Sequence, residues 1–189
     1  MILASASPQR RAILEQAGIA FEVRVSGVEE ETHGDPRAVA VENARRKALA
    51  VALRDELVLG ADTIVVLDGE ILGKPRDEEQ AREYLERLSA RTHEVVGGVS
   101  LVGRGEFVEV TEVEFAALDP STVEWYVRSR EWEGRAGGYA IQGHGATLIT
   151  GIRGDYLNVV GLPLARLLRL HPDLHPATPI SRGSAGGVR

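Results

Sequence analysis

A carboxylate interrupts a long apolar run. Leu57 to Leu67 is nearly continuous in apolar residues, broken by Asp62-Thr63, and is too rich in valine and isoleucine for an exposed helix, so it reads as a buried central strand. An ionised carboxylate placed there without a partner is costly, so Asp62 is expected to hold a metal ion, meet a cation or take part in catalysis. A structural ion pair with Lys47 or Arg10 is the competing reading. Strand alternation puts Asp62, Ile64 and Val66 on one face and Thr63 and Val65 on the other, unless a bulge at Gly60 intervenes.

The cations stand at a distance in sequence. Arg10 and Arg11 fall in the opening turn expected after Ser7-Pro8, an N-cap followed by proline at the first helical position. Basic residues there oppose the macrodipole by roughly 0.3–1 kcal/mol each. An anion bound at the free N–H groups, with Ser5 and Ser7 beside it, would remove the conflict; arginines reaching solvent or the acidic run Glu29 to Glu31 would do so equally. Asn43 and Lys47 lie four apart on a long helix, and Gly73-Lys74-Pro75 fixes a second lysine in a short loop. Either lysine alone is ordinary surface decoration. Together with Arg10 they become informative if the fold gathers them around Asp62.

Composition narrows the chemistry. The 189 residues include no cysteine, which excludes disulfides, thiolate nucleophiles and cysteine-ligated metals. His171 and His175 have metal-ligand spacing but enclose Pro172, so a structural zinc is not expected. A net charge of −6 and 5% aromatic content argue against a nucleic-acid-binding or division-regulating protein, which would need a basic face and stacking platforms. Met1 enters a short apolar stretch without a basic leader, and no segment approaches the ~18 apolar residues of a membrane span. A cytoplasmic protein that binds neither membrane nor nucleic acid is expected.

The elements follow from punctuation and period. Ile2-Leu3 gives a first strand, Pro8 to Gln16 a helix stopped at Gly18, and Phe21 to Val25 a second strand. The helix from Pro36 carries Val41, Ala44, Ala48, Val51 and Ala52 as its core stripe, with Asn43 and Lys47 at the border and Glu42–Arg46 as a solvated pair. Asp68-Gly69 turns the buried strand into a hairpin, and Asp77 with Gln80 caps a helix through Leu88. Thr92 to Val102 and Phe107 to Leu118 form an antiparallel pair, and Asp119-Pro120-Ser121 opens a helix through Ser129. A glycine-rich loop over Gly134 to Gly145, a strand over Thr147 to Ile152 and a helix over Pro163 to Leu170 complete the domain, with a flexible tail over 171–189.

Five segments in order carry a resemblance. They are Leu3-Ala4-Ser5-Ala6-Ser7-Pro8-Gln9-Arg10-Arg11, Glu42-Asn43-Ala44-Arg45-Arg46-Lys47-Ala48, Gly60-Ala61-Asp62-Thr63-Ile64-Val65, Gly73-Lys74-Pro75 and Tyr139-Ala140-Ile141-Gln142-Gly143, followed by Val160-Gly161-Leu162-Pro163. This set resembles the Maf family of nucleoside triphosphate pyrophosphatases from residue 2 to about residue 170. The resemblance implies an α/β fold with an elongated mixed β-sheet, flanking helices and two lobes around a central cleft, as one catalytic domain over 1–170. It also implies a divalent cation, Mg²⁺ or Mn²⁺, and a homodimer. Asp62 matches the family's catalytic acidic residue, and Lys47 and Lys74 match its phosphate-side lysines. Arg10, Thr63 and Gln142 match the trio of the subgroup that acts on dTTP and UTP. The subgroup preferring 7-methyl-GTP differs, with Ser-Asp-Gln where this chain has Ala61-Asp62-Thr63. Two departures stand out: Gln9 replaces the first arginine of a Ser-Pro-Arg-Arg motif, and Gly134-Arg135-Ala136-Gly137 replaces Asp-Lys-Ala-Gly, keeping a cation but removing a carboxylate.

The expectation is therefore hydrolysis of dTTP and UTP to monophosphate and pyrophosphate. Arg10, Lys47, Lys74 and a divalent ion hold the phosphates, with Ser7 and Arg11 beside them, while Asp62 orients or deprotonates the attacking water. Glu30 joins Asp62 as a metal or water ligand. The Gln142 amide suits the edge of uracil or thymine, with its N–H between carbonyl oxygens. The alternatives are the same chemistry on modified or other nucleotides, such as 7-methyl-GTP, or an interaction protein.

Overall fold

The run with the polar interruption is a strand, β3 (Val58–Leu67), buried at every residue but Thr63. A computed structural model describes residues 1–176. Around β3 lie β1 (Ile2–Leu3), β2 (Glu22–Val23), β4 (Glu70–Leu72), β5 (Thr92–Leu101), β6 (Gly105–Phe115) and β7 (Ile149–Arg153). They form one sheet of order β2-β1-β3-β5-β6-β7, with β4 also on β3. Among the described residues only β1 pairs in parallel, with β2 and β3, and the other ladders are antiparallel. The mixed α/β architecture expected from the sequence is the one observed.

The edge of β3 explains where a cleft can open. On one side β5 runs beside it from Leu59 to Val66. On the other, β1 pairs only at Val58 and Leu59, and β4 only from Val65 to Leu67. Among the described residues, Gly60 to Ile64 has no strand partner on that edge. Side chains from both faces of the sheet, Asp62 and Thr63 among them, can therefore reach one space.

Helix α2 (Pro36–Val51), capped by Asp35, covers the Asp62 face. Its backbone comes close: a Cβ at Gly60 would lie 2.1 Å from the Ala44 carbonyl oxygen, and one at Gly98 2.2 Å from that of Ala40. Glycine on the sheet and alanine on the helix permit this contact. The buried stripe is Val39, Ala40, Asn43, Ala44, Lys47 and Ala48, so the expected stripe is displaced. Val41, Val51 and Ala52 are only half-buried, because the helix rolls Asn43 and Lys47 inward to meet Asp62. The expected Glu42–Arg46 pair is also replaced: Glu42 accepts from Arg45, and Arg46 reaches Glu31.

The opposite face carries two separate cores. One packs α1 (Pro8–Gln16) and α6 (Leu164–Leu170) over Leu59, Ala61 and Val99. The other packs α3 (Glu78–Leu88) and α4 (Pro120–Ser129) over Val65, Leu67 and Val95. Thr63 lies between them along β3. A helix the sequence did not reveal, α5 (Tyr156–Val160), is too short to display a period; Asp155 caps it by accepting from Leu157 N and Asn158 N. Two other expectations change: the second strand shortens to the two residues that pair with β1, and 3-10 turns over Gly143–Leu148 replace the start of the last strand. Residues of the expected tail form a 3-10 turn, Pro172–Leu174, where Asp173 pairs with Arg104; 177–189 lie outside the described residues. No helix among the described residues is long and apolar enough to cross a membrane.

Candidate active site

At the unpaired stretch of β3 lies a cleft of about 770 Å³, lined by Ser7, Arg10, Glu30, Lys47, Asp62, Thr63, Lys74 and Gln142 among others. Eight of the nine residues singled out from the sequence thus share one space. Arg11 does not. It follows Arg10 on the helix, so it points away and lines a shallow exposed groove with Glu15, Ile19 and Phe21. Arg11 therefore lies outside the cleft.

Asp62 is 4% exposed, and each of its oxygens accepts one hydrogen bond. Its Oδ1 accepts from Lys47 Nζ at 2.6 Å and its Oδ2 from Asn43 Nδ2 at 2.9 Å. Lys47 Nζ also donates to Glu30 Oε1 at 2.7 Å, and Glu30 Oε2 accepts from Lys74 Nζ at 2.5 Å. The result is an alternating line of charge, Asp62, Lys47, Glu30, Lys74, from the sheet interior to the cleft mouth. Burial works to raise the Glu30 carboxyl, but Lys47 and Lys74 outweigh it and hold it at about 2. The ion pair weighed as an alternative for Asp62 is real, and it lies inside the cleft.

Asn43 ties this line to the loop before α2. Its Oδ1 accepts from Glu31 N at 2.8 Å, and its Nδ2 donates to Glu31 O at 2.9 Å as well as to Asp62. One buried amide thereby fixes both the catalytic candidate and the segment carrying Glu30. In the sequence Asn43 stands out only by its place beside Lys47 and within the second of the five segments. The available signal was a polar side chain four residues from a lysine on an alanine-rich helix face.

Arg10 makes a different environment. Its guanidinium is buried and donates from Nε to Gly161 O at 2.8 Å, from Nη1 to Ser5 Oγ at 3.0 Å and from Nη2 to Thr63 Oγ1 at 3.1 Å. Every one of these partners is neutral. Burial pushes its pKa down, and Asp62 and Glu30 act on it only through space. A buried cation with no counter-ion in contact among the described residues is an anion site in waiting. Gly161 closes the turn after α5 with φ 139°, so the helix missed in the sequence is what delivers the carbonyl that aims Arg10.

Ser7 acts first as the N-cap of α1, accepting from Arg10 N at 3.4 Å while its hydroxyl donates to Gln9 Oε1 at 3.1 Å. Gln142 is exposed at the mouth, and its side-chain amide has no hydrogen-bond partner among the described residues. Tyr139, buried beside it, has its hydroxyl 2.7 Å from His93 Nε2. Arg135 lines the cleft without an ion pair among the described residues, and Gly134, with φ 69°, makes the turn before it.

Asp62 and Glu30 offer two carboxylates joined through Lys47, and no group of three His, Cys, Asp or Glu side chains suited to a metal occurs among the described residues. Two carboxylates completed by phosphate oxygens and water is the pattern Mg²⁺ prefers, so the residues fit that ion rather than an all-protein cage.

A family model described as Maf-like protein matches residues 1–173. The dTTP/UTP pyrophosphatase of Symbiobacterium thermophilum is 50% identical over 98% of both chains. That of Pyrococcus furiosus is 45% identical over 90% of this chain and 93% of its own, and that of Anaeromyxobacter sp. 49% identical over 90% and 87%.

Proposed function

This chain belongs to the Maf family, and we propose that it hydrolyses dTTP and UTP to the monophosphate and pyrophosphate. The observation that carries the reading is the gathering of Arg10, Lys47 and Lys74 in one cleft around the buried Asp62. Around Asp62 itself, Arg10, Lys47 and Lys74 put three cations beside the two carboxylates of Asp62 and Glu30, while the rest of the lining adds Arg135 and the carboxylates of Glu131 and Glu133.

Cleavage forms a bond from a water oxygen to the α-phosphorus and breaks the bond from that phosphorus to the bridging oxygen, which departs with pyrophosphate. Arg10, Lys47 and Lys74 hold the phosphates, with Ser7 at the start of α1 beside them. Asp62, hydrogen-bonded to Lys47 and Asn43, orients the water and takes up its proton directly or passes it to solvent. Each of its oxygens keeps a second lone pair for that purpose. Asp62 and Glu30 would hold a divalent cation, Mg²⁺ or Mn²⁺, which supplies further charge neutralisation at the phosphates. The unpartnered Gln142 amide reads the base, with its oxygen and NH₂ complementing a keto pyrimidine, while Arg10 and Thr63 complete the selective set.

The enzyme works as one catalytic unit over 1–170, in the cytoplasm and as a homodimer, and its net charge of −6 keeps it off nucleic acid. Initial rates of pyrophosphate release on dTTP, UTP, CTP and 7-methyl-GTP, with Mg²⁺ and with chelator, test the reading. Turnover of dTTP and UTP is expected to exceed that of the other two by roughly 10-fold or more and to stop with chelator. A preference for CTP or 7-methyl-GTP would overturn it.

A further inference from the structure

We propose that Glu131 is a positioning residue for nucleotide selection: its carboxylate holds the turn that presents Gln142 to the base. The inference rests on the reading of Gln142 given above.

Gln142 sits in a segment whose backbone is fastened on both sides. Upstream, the Tyr139 hydroxyl is bonded to His93, and Ala140 N donates to the Tyr126 hydroxyl at 3.0 Å. Downstream, Glu131 grips the chain. His144 N donates to Oε1 at 3.0 Å, Gly145 N to Oε2 at 3.2 Å, and His144 Nδ1 lies 2.6 Å from Oε1. Among the described residues, no other side chain bonds the backbone N–H groups from Gln142 to Gly145. The residue between Gln142 and the grip is Gly143, at φ 68°, where a Cβ would lie 2.5 Å from Glu131 Oε1. A Cβ at Gly145 would lie 1.9 Å from the Ala140 carbonyl oxygen, so the turn folds back on its own start. Two glycines and one carboxylate thus set the direction in which Gln142 leaves the backbone.

The grip needs a carboxylate. Two backbone N–H groups point at two different oxygens, and an amide can offer an acceptor to only one of them while facing the other with an N–H. Glu131→Gln therefore loosens the turn without removing a core side chain. Loosening a base-reading group weakens binding of the matching base and relaxes rejection of the wrong one, since the unmatched pairing is no longer enforced.

The test measures kcat and KM for UTP and CTP on wild type, Glu131→Gln, Glu131→Asp and Gln142→Ala, with thermal unfolding in parallel. In Glu131→Gln the KM for UTP is expected to rise roughly 10-fold, kcat to change much less, and the UTP-over-CTP preference to fall to the level of Gln142→Ala. Combining the two substitutions adds little further loss, because both act through one contact. Glu131→Asp keeps both acceptor oxygens and retains part of the preference. Equal loss of kcat on both nucleotides, or lowered thermal stability with selectivity intact, overturns the inference. A selective wild type whose Glu131 variants stay as selective does so too, and leaves the reading of Gln142 standing. A wild type that does not distinguish UTP from CTP removes that reading and this inference with it.

Discussion

Lys47 and Lys74 both touch Glu30, but they do different physical work. Lys47 is the buried partner of Asp62, whereas the Lys74 side chain is 48% exposed and reaches only Glu30. Lys47→Met strands a buried carboxylate, and breaking such a pair costs roughly 3–5 kcal/mol. Lys74→Met loses an exposed pair, worth about 1 kcal/mol or less. Chemical denaturation is therefore expected to separate the variants clearly, while both raise the KM for UTP. Equal stabilities would contradict the placement of Lys47. At this scale the sequence was informative because a charge in an apolar run is expensive anywhere, so Asp62 could be singled out by type and place alone. Arg11 could not be separated from Arg10 in the same way. Both follow Ser7-Pro8, and only the rotation of α1 against Gly161 and Thr63 decides which guanidinium faces inward.

The joint between α2 and the sheet aligns the site. Asn43 and Lys47 reach Asp62 because Gly60 and Gly98 let the helix backbone descend onto β3 and β5. Gly98→Ala would set a Cβ against the rigid Ala40 carbonyl, and overpacking of this kind costs about 1–3 kcal/mol. The helix would lift, and Asn43 and Lys47 with it. The variant is expected to lose thermal stability and kcat together, measured by unfolding midpoint and UTP turnover; an unchanged kcat would show that the joint does not set the site. Proline and cap signals located α1, α2, α3 and α4 in the sequence because caps are local chemistry. The roll of α2 was not legible, since alanines occur on several sides of it and the deciding partners, Gly60, Asp62 and Gly98, lie on other elements. Helix α5 was missed for a related reason: its five residues are anchored by Asp155 and by Asn158, which donates to Val95 O in the sheet.

Across the whole molecule, the cleft is a gap in strand pairing. β1 stops at Leu3 and β4 begins pairing at Val65, and the five residues of β3 between them, Gly60 to Ile64, hold the acid and the threonine. No local pattern announces such a gap; it follows from which strands end early. What the sequence did carry was the order of five polar segments, and their convergence explains why that order matters to function. Arg10, Lys47, Lys74 and Gln142 come from four different elements or loops and meet only at this opening. Asp62 is accordingly expected to serve a bound triphosphate as well as to stabilise Lys47. The most direct measurement is pyrophosphate release from UTP, with Mg²⁺, by wild type and Asp62→Asn, each first checked for cooperative unfolding. The expected result is a folded variant whose kcat falls by roughly 100-fold or more. A folded Asp62→Asn protein releasing pyrophosphate at close to the wild-type rate would contradict the account.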